Sequence, residues 1–233
     1  ELVKGRISDH TLYEIRHELQ AIGGGIREKF NICLVHHHLR EMHTDANPDL
    51  SRMRGSENLL ALLSQAEFGE WFIVHGHVHR GDIYCEGGNS GPIILSCASF
   101  SVSLNGDHLN PSTNQFYLVE FDEPVGGRHR IRGSVKAWDW SASYGWQQAS
   151  ERKGSIGPTT GFGYRGDIPT FAQTMMQSVR ELGKIEWQSA LSKFPDLKHF
   201  LPTDRANLIM ELEAEGDIKV SKSGERVREV VLK

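Results

Sequence analysis

Six of the chain's twelve histidines fall in two short clusters, at 36–38 and 75–79. His77 and His79 are two positions apart, and alternate residues of an extended segment project to the same side. Two imidazoles can then converge on one ion or on two neighbouring ions. Gly76 leaves the backbone free to turn tightly and to approach an ion. Imidazole suits zinc, iron, nickel and copper, and together with carboxylates also manganese, so the pattern predicts a divalent-metal site.

The segments that must position these histidines are short and apolar. Residues 30–35 and 71–74 have the composition of strands buried on both faces, and each runs directly into a histidine cluster. Residues 57–65 between them are predicted to be helical. A strand, a helix and a strand with histidines at each strand end predict an α/β layered fold, because ligand sites in such folds gather at the carboxyl ends of strands.

These motifs also carry a family resemblance. The segment from Leu34 to Leu39, followed by the segment from Val74 to Arg80, resembles the last two motifs of the calcineurin-like metallophosphoesterases. Those motifs are a strand that ends in a histidine and a Gly-His-x-His loop. The resemblance covers roughly residues 5–140. It implies a layered β-sandwich flanked by helices, as in the C-terminal part of those phosphoesterases, followed here by a small α+β tail.

The resemblance also implies roles for individual residues. It makes His36, His77 and His79 metal ligands, and it places His37 and His38 as catalytic residues that line the pocket. The implied cofactors are two divalent ions, with manganese, iron, zinc and nickel all compatible. The implied activity is hydrolysis of phosphate esters, with a phosphodiester or nucleotide substrate favoured and a nuclease among the possibilities.

The resemblance is incomplete, because three motifs of that family are missing from this sequence. Asp-x-His, Gly-Asp-x-x-Asp and Gly-Asn-His-Asp/Glu do not occur, and Asp9 and His10 are adjacent rather than separated by one residue. In the family these motifs supply the bridging aspartate and further ligands. We therefore expect that the N-terminal half of the domain is missing from this sequence, either cleaved off or supplied by another part of the same chain or by another chain. Glu1, rather than a methionine, as the first residue agrees with this expectation. The chain alone is then expected to be inactive.

Two other interpretations compete with the enzyme. One is a non-catalytic scaffold or assembly module, possible in an oligomer or larger assembly, whose metal site is degenerate or incomplete. The other is a metallo-β-lactamase-type hydrolase. That class requires the motif His-x-His-x-Asp-His, and this sequence lacks the Asp-His pair of the motif. Within the polar segment 40–55, Arg40, Arg52 and Arg54 are candidates for phosphate contacts, with a solvated surface loop as the plain alternative.

The composition of the chain indicates which partners and which cellular location to expect. The net charge of -4 gives no global basic field that would require nucleic acid as a partner. Cys33, Cys85 and Cys97 form no Cys-x-x-Cys pair, which favours a reducing, cytoplasmic location. No apolar run approaches the length of a membrane span, so no membrane partner is expected.

The sequence divides into three regions. Residues 1–140 form the part with the histidines, and 141–170, rich in Gly, Ser and Pro, is predicted to be a linker or wrapping segment. Residues 171–233 are predicted to be a helical region that ends in a helix-hairpin unit, and one interpretation of this unit is a small winged-helix-like domain. Basic residues of this hairpin are offset by acidic neighbours, which favours a solvated face over nucleic-acid binding. The layout resembles that of bacterial proteins that join a phosphoesterase to signalling or antiphage-defence modules.

Overall fold

The computed structural model describes residues 5–40, 52–77, 79–101, 114–123, 130–151, 155–224 and 226–233. Along these residues a helix, a strand and a helix come first, seven strands follow in succession, and three helices and three strands complete the C-terminal part, with short 3-10 turns between some of the elements. The helices are α1 (Asp9–Ile22), α2 (Ser56–Leu63), α3 (Ile168–Leu182), α4 (Trp187–Lys193) and α5 (Pro202–Ala214). The strands are β1 (Asn31–Val35), β2 (Trp71–His75), β3 (Asp82–Cys85), β4 (Ile93–Ser96), β5 (Gln115–Phe121), β6 (Gly133–Ser141), β7 (Gly145–Gln148), β8 (Thr159–Phe162), β9 (Lys184–Glu186), β10 (Ile218–Ser223) and β11 (Arg226–Leu232).

The first sheet has the strand order β1-β2-β4-β3. Strands β1, β2 and β4 run parallel, and β3 runs antiparallel to β4. One face of this sheet packs on α1 and α2, where Ile73 meets Leu19 and Leu62. The other face packs on the second sheet, where Phe72 meets Val135. Because successive side chains of a strand point to opposite faces, neighbouring residues of β2 serve two separate cores.

The second sheet is antiparallel and is organised around β6. Strand β5 pairs along the length of β6, while β7 and β8 pair with its two ends. The described chain therefore forms helices, a mixed sheet and an antiparallel sheet in successive layers. The mixed α/β class expected from the sequence is confirmed, whereas a calcineurin-like fold is not shown.

Local sequence explains where α1 begins. Helix α1 is preceded by Ser8, whose hydroxyl accepts a hydrogen bond from the backbone amide of Thr11 at 3.1 Å. A serine at this position satisfies one of the unpaired amide groups of the first helical turn. The strand expected at 71–74 corresponds to β2.

The expectation that β1 is buried on both faces is wrong. Ile32 is 50% exposed and Leu34 is 75% exposed. Strand β1 lies at the edge of its sheet and pairs only with β2 among the described strands. The second sheet does not cover this edge, so the apolar composition of β1 does not translate into burial on that face.

The C-terminal residues build a third unit with a core of their own. Helices α3, α4 and α5 surround Met175, Phe200 and Leu208, together with Val230 of the β10-β11 hairpin. The helical region expected from residue 171 is not one continuous helix, because Gly183 adopts a positive φ of 77° and ends α3. Strand β9 then pairs with β11 before α4 begins.

Within the described residues, none of the helices combines the length and the apolar character needed to cross a lipid bilayer. The segment 41–51, which contains most of the polar stretch expected to face a substrate, lies outside the described residues.

Candidate metal site

The register of the parallel strands brings the two histidine clusters together. Val35 of β1 pairs with His75 of β2, so both strands end at the same level. The backbone amide of Gly76 donates a hydrogen bond to the carbonyl of His36 at 3.2 Å, which continues the pairing beyond the strands. The histidines that follow β1 and β2 therefore lie at the carboxyl edge of the sheet, where the strand pattern predicted them.

Three imidazoles converge at this edge. His36, His37 and His77 each offer a nitrogen, and these three atoms all lie within 4.8 Å of one another. The Nδ1 atom of His77 is 3.2 Å from the Nε2 atom of His36. Two ligands that each lie about 2.0–2.1 Å from one tetrahedral ion are separated by about 3.3–3.4 Å. The spacing of these two nitrogens therefore fits a shared divalent ion.

The rings of the cluster stand at angles to one another. The His36 and His37 rings are perpendicular, with centroids 4.9 Å apart, and the His37 and His77 centroids are 4.6 Å apart. Burial lowers the pKa of His77 first, and positive charge on the surrounding histidines lowers it further. A neutral imidazole has the free lone pair that a metal requires, so the crowding favours the form of His77 that binds an ion.

The turn after β2 differs from the expected one. His77 has a φ of 81° and His79 has a φ of 55°, both in the left-handed region, so this segment is not extended. The alternation that was expected to aim both side chains at one point is therefore lost. His79 is exposed and does not belong to the group of converging nitrogens, although its charge is felt by His77. The structure offers His37 as the third donor instead.

Glycine has a different role from the expected one at this site. A side chain on Gly76 would meet open space in the described structure, and its φ is not positive, so the turn is made by the histidines themselves. Gly5, by contrast, lies directly against the imidazole of His37, where an added Cβ would overlap the ring. The backbone near Gly5 is held in place by Arg54, whose amide donates to the Gly5 carbonyl at 2.9 Å.

Two further histidines lie behind the cluster. His38 is 1% exposed and His75 is 2% exposed, and their ring centroids are 5.9 Å apart. The ring of His38 is also 5.9 Å from that of His77. Burial lowers the pKa of His75 to about 4, so this imidazole is neutral at physiological pH. His38 was expected to line the pocket, and the structure places it beneath the surface instead.

The arginines near the histidine clusters differ in their surroundings: one is bonded to the start of α2, and two lie near the carboxyl edge of the sheet. Arg52 donates to Glu57 at 2.7 Å and to the Ser56 hydroxyl at 3.1 Å, which ties it to the start of α2. Arg40 lies 3.8 Å from Glu86 in a largely exposed ion pair. Arg80 follows the histidine turn, and its carbonyl accepts a hydrogen bond from Ser96 at 2.9 Å. Arg40 and Arg80 thus keep positive charge near the carboxyl edge of the sheet.

Sequence reasoning missed two features of this site. His37 was assigned to the pocket rather than to the donor set, because the resemblance assigns one ligand to that strand end. Gly5 was not singled out at all, because a lone glycine far from a motif carries no local signal. Only the three-dimensional placement of Gly5 against His37 reveals it.

Comparison with known families concerns the C-terminal unit rather than this site. Residues 160–214 match a family model described as wHTH-Calcineurin_assc, a calcineurin-associated winged helix. This family is not a metallophosphoesterase, and the match covers α3, β9, α4 and α5 but no histidine of the cluster. The expectation that the chain is the C-terminal half of a calcineurin-like metallophosphoesterase is thereby corrected: the family match describes an associated winged helix. No curated protein matches the chain.

Proposed function

We propose that His36, His37 and His77 hold a divalent ion and that this site serves metal-dependent hydrolysis of phosphate esters, with a phosphodiester or nucleotide as the favoured substrate. The observation that carries the proposal is the convergence of three imidazole nitrogens within 4.8 Å at the carboxyl edge of a parallel sheet. Three histidines with an open position for solvent are a recurrent donor set of hydrolytic metal sites.

A divalent ion in such a site lowers the pKa of water and polarises a phosphoryl oxygen. The chain's own residues supply binding and access. His36 is exposed, so the site is open to solvent and to a substrate. The lowered pKa of His77 keeps its lone pair available. Arg40 and Arg80 add positive charge that favours an anionic substrate near this edge.

The expected two-ion centre needs more donors than this group provides. Three imidazoles satisfy one ion, and His79 lies outside the group. Hard divalent ions prefer oxygen donors, and no carboxylate joins the group within the described residues. We therefore propose one ion at this group, rather than the expected two.

The C-terminal unit supports the same proposal indirectly. The name of the matched family associates this kind of winged helix with calcineurin. Applied to this chain, it suggests that the winged unit accompanies a phosphoesterase activity. The free thiols of Cys33, Cys85 and Cys97 are compatible with the proposed cytoplasmic location.

A scaffold with a structural ion is the second candidate, and one observation favours it. The donor group contains three imidazoles and no carboxylate among the described residues, so it lacks the bridging ligand that a two-ion hydrolytic centre uses. In this alternative the ion stabilises the turn after β2 and the chain acts through its surfaces.

Two measurements separate these candidates. The first titrates Zn²⁺ and Mn²⁺ into the metal-free chain, compares it with His36→Ala and His77→Ala, and uses His10→Ala on the exposed surface of α1 as the matched control. The second measures hydrolysis of bis(p-nitrophenyl) phosphate by the whole encoded protein with each metal. Metal-dependent hydrolysis that both cluster variants lose supports the enzyme. Metal binding without hydrolysis supports the scaffold, and no metal binding by the chain rejects the site.

A further inference from the structure

A second possible binding site lies far along the chain from the histidines. A cavity of about 680 Å³ opens between the second sheet and the C-terminal unit. Residues of β5, β6 and β8 form one wall, and residues of α4, α5 and β11 form the other. Small-molecule sites are typically clefts of about 300–1,000 Å³ and occur preferentially between structural units. Both the size and the position of this cavity therefore fit a ligand site.

The acidic residues of the cavity are already paired. Asp122 lies 3.2 Å from both Lys198 and His199. Glu120 lies 2.6 Å from Lys136, and Glu151 lies 3.8 Å from Arg226. Each carboxylate thus faces a cation of the protein, and its field is compensated locally.

The positive charges of two arginines in the cavity, Arg205 and Arg228, are not paired with a carboxylate in a close ion pair among the described residues. The Nε atom of Arg205 is buried and has no hydrogen-bond partner among the described residues. Burial lowers the pKa of Arg205, and the negative charge of Glu151 only partly offsets this effect. Arg228 is exposed on β11 and forms no ion pair with any residue that the structure describes. Glu151 is shared between Arg205 and Arg226, so the cavity keeps an excess of positive charge, which suits an anionic ligand.

The same wall carries an aromatic ring beside the arginines. Trp187 begins α4, is half-buried, and lines the cavity together with Leu191 and Val227. A flat ring and apolar side chains next to cationic groups suit a ligand with both an aromatic ring and an anionic group. His199 adds a buried Nδ1 atom without a hydrogen-bond partner in the described structure, while its Nε2 atom faces Asp122.

We propose that this cavity binds a nucleotide, with its base against Trp187 and its phosphates between Arg205 and Arg228. The geometry that supports this is a ring on α4 and two cations on α5 and β11 that share one cleft. A ligand here contacts both the second sheet and the C-terminal unit, so its binding fixes the position of one relative to the other. The inference does not rest on the proposed metal function, because none of the cavity residues belongs to the histidine cluster.

The test measures binding of AMP, ATP, adenosine and inorganic phosphate to the full chain by calorimetry, without added metal. AMP or ATP is expected to bind more tightly than adenosine or phosphate, because only the nucleotides engage both groups. Removing one charge-assisted contact in Arg205→Gln or Arg228→Gln is expected to weaken nucleotide binding about tenfold or more. Arg228 is exposed, so its variant is expected to fold even where Arg205→Gln does not.

Matched controls make the result specific. Lys222→Gln removes one charge from the exposed hairpin of the same unit and is expected to bind nucleotide like the unmodified chain. Trp187→Phe keeps a ring and is expected to retain binding that Trp187→Leu loses. His36→Ala/His77→Ala is expected to leave nucleotide binding unchanged. Absence of nucleotide binding, equal loss in Lys222→Gln and Arg228→Gln, or loss in the histidine variant would overturn the proposal.

Discussion

The Nδ1 atom of His77 lies 3.2 Å from the Nε2 atom of His36, although the two residues are 41 positions apart in the chain. Two donor nitrogens at this distance repel each other when both are protonated, and they are stabilised when they share a hydrogen bond or an ion. The backbone holds them together through the paired ends of β1 and β2. The sheet therefore preorganises these two nitrogens for the proposed ion.

Replacement of His79, which lies outside the group of converging nitrogens, tests how many ions the chain binds. Loss of a hydrogen-bond partner that supports a ligand weakens metal binding by about 10–100-fold. We expect His36→Ala, His37→Ala and His77→Ala each to weaken Zn²⁺ binding by more than this, because each removes a proposed ligand. His79→Ala is expected to leave one ion bound at nearly unchanged affinity, because His79 does not converge with the other three. Calorimetry with metal analysis measures both affinity and stoichiometry. A loss of all bound metal in His79→Ala would show that the donor set is wrong.

The meeting of the two histidine clusters could be predicted from the sequence, whereas which third imidazole lies beside His36 and His77 could not. Apolar segments that end in histidines are a local signal, and parallel strand ends meet at one edge of the sheet. The choice between His37 and His79 depends on the left-handed backbone at His77 and His79, which no sequence pattern predicts for non-glycine residues.

The fold shows the same division between local and long-range information. The bounds of α1 follow from a serine cap and a helical apolar pattern, both local. The exposure of Leu34 depends on which strand lies at the edge of the sheet, and this is fixed by contacts between distant segments. The break between α3 and α4 depends on pairing of β9 with β11, more than 40 residues further along the chain.

Gly5 is expected to control the position of His37. In Gly5→Ala the added Cβ overlaps the imidazole, so the ring must move away from His36 and His77. We expect Zn²⁺ affinity to fall about 10–100-fold, as for loss of a group that orients a ligand. Gly24→Ala is the matched control, because its Cβ meets open space and its φ is not positive. Equal affinities in the two variants would indicate that His37 is not a donor.

The buried His199 is expected to make stability depend on pH. Burial lowers its folded-state pKa, and Asp122 only partly offsets this. The unfolded chain therefore takes up a proton first as the pH falls below the ordinary value of about 6.5, and stability present above that pH is lost on acidification. We expect the fall in melting temperature between about pH 7.5 and about pH 5.5 to be smaller in His199→Gln than in the unmodified chain. His10→Gln on the exposed surface of α1 serves as control, and an unchanged pH dependence in His199→Gln would contradict the assignment.

The open face of β1 is expected to tolerate charge in the isolated chain. Leu34 is 75% exposed, so Leu34→Lys is expected to change the free energy of unfolding by less than about 0.5 kcal/mol. Ile73 on the neighbouring strand is fully buried between the sheet and the helices, and Ile73→Ala is expected to cost about 2–5 kcal/mol. Urea denaturation of both variants measures the contrast. A large loss of stability in Leu34→Lys would mean that another segment covers this edge of the sheet. Because Leu34 precedes His36 by only two residues, that segment would lie next to the histidine cluster.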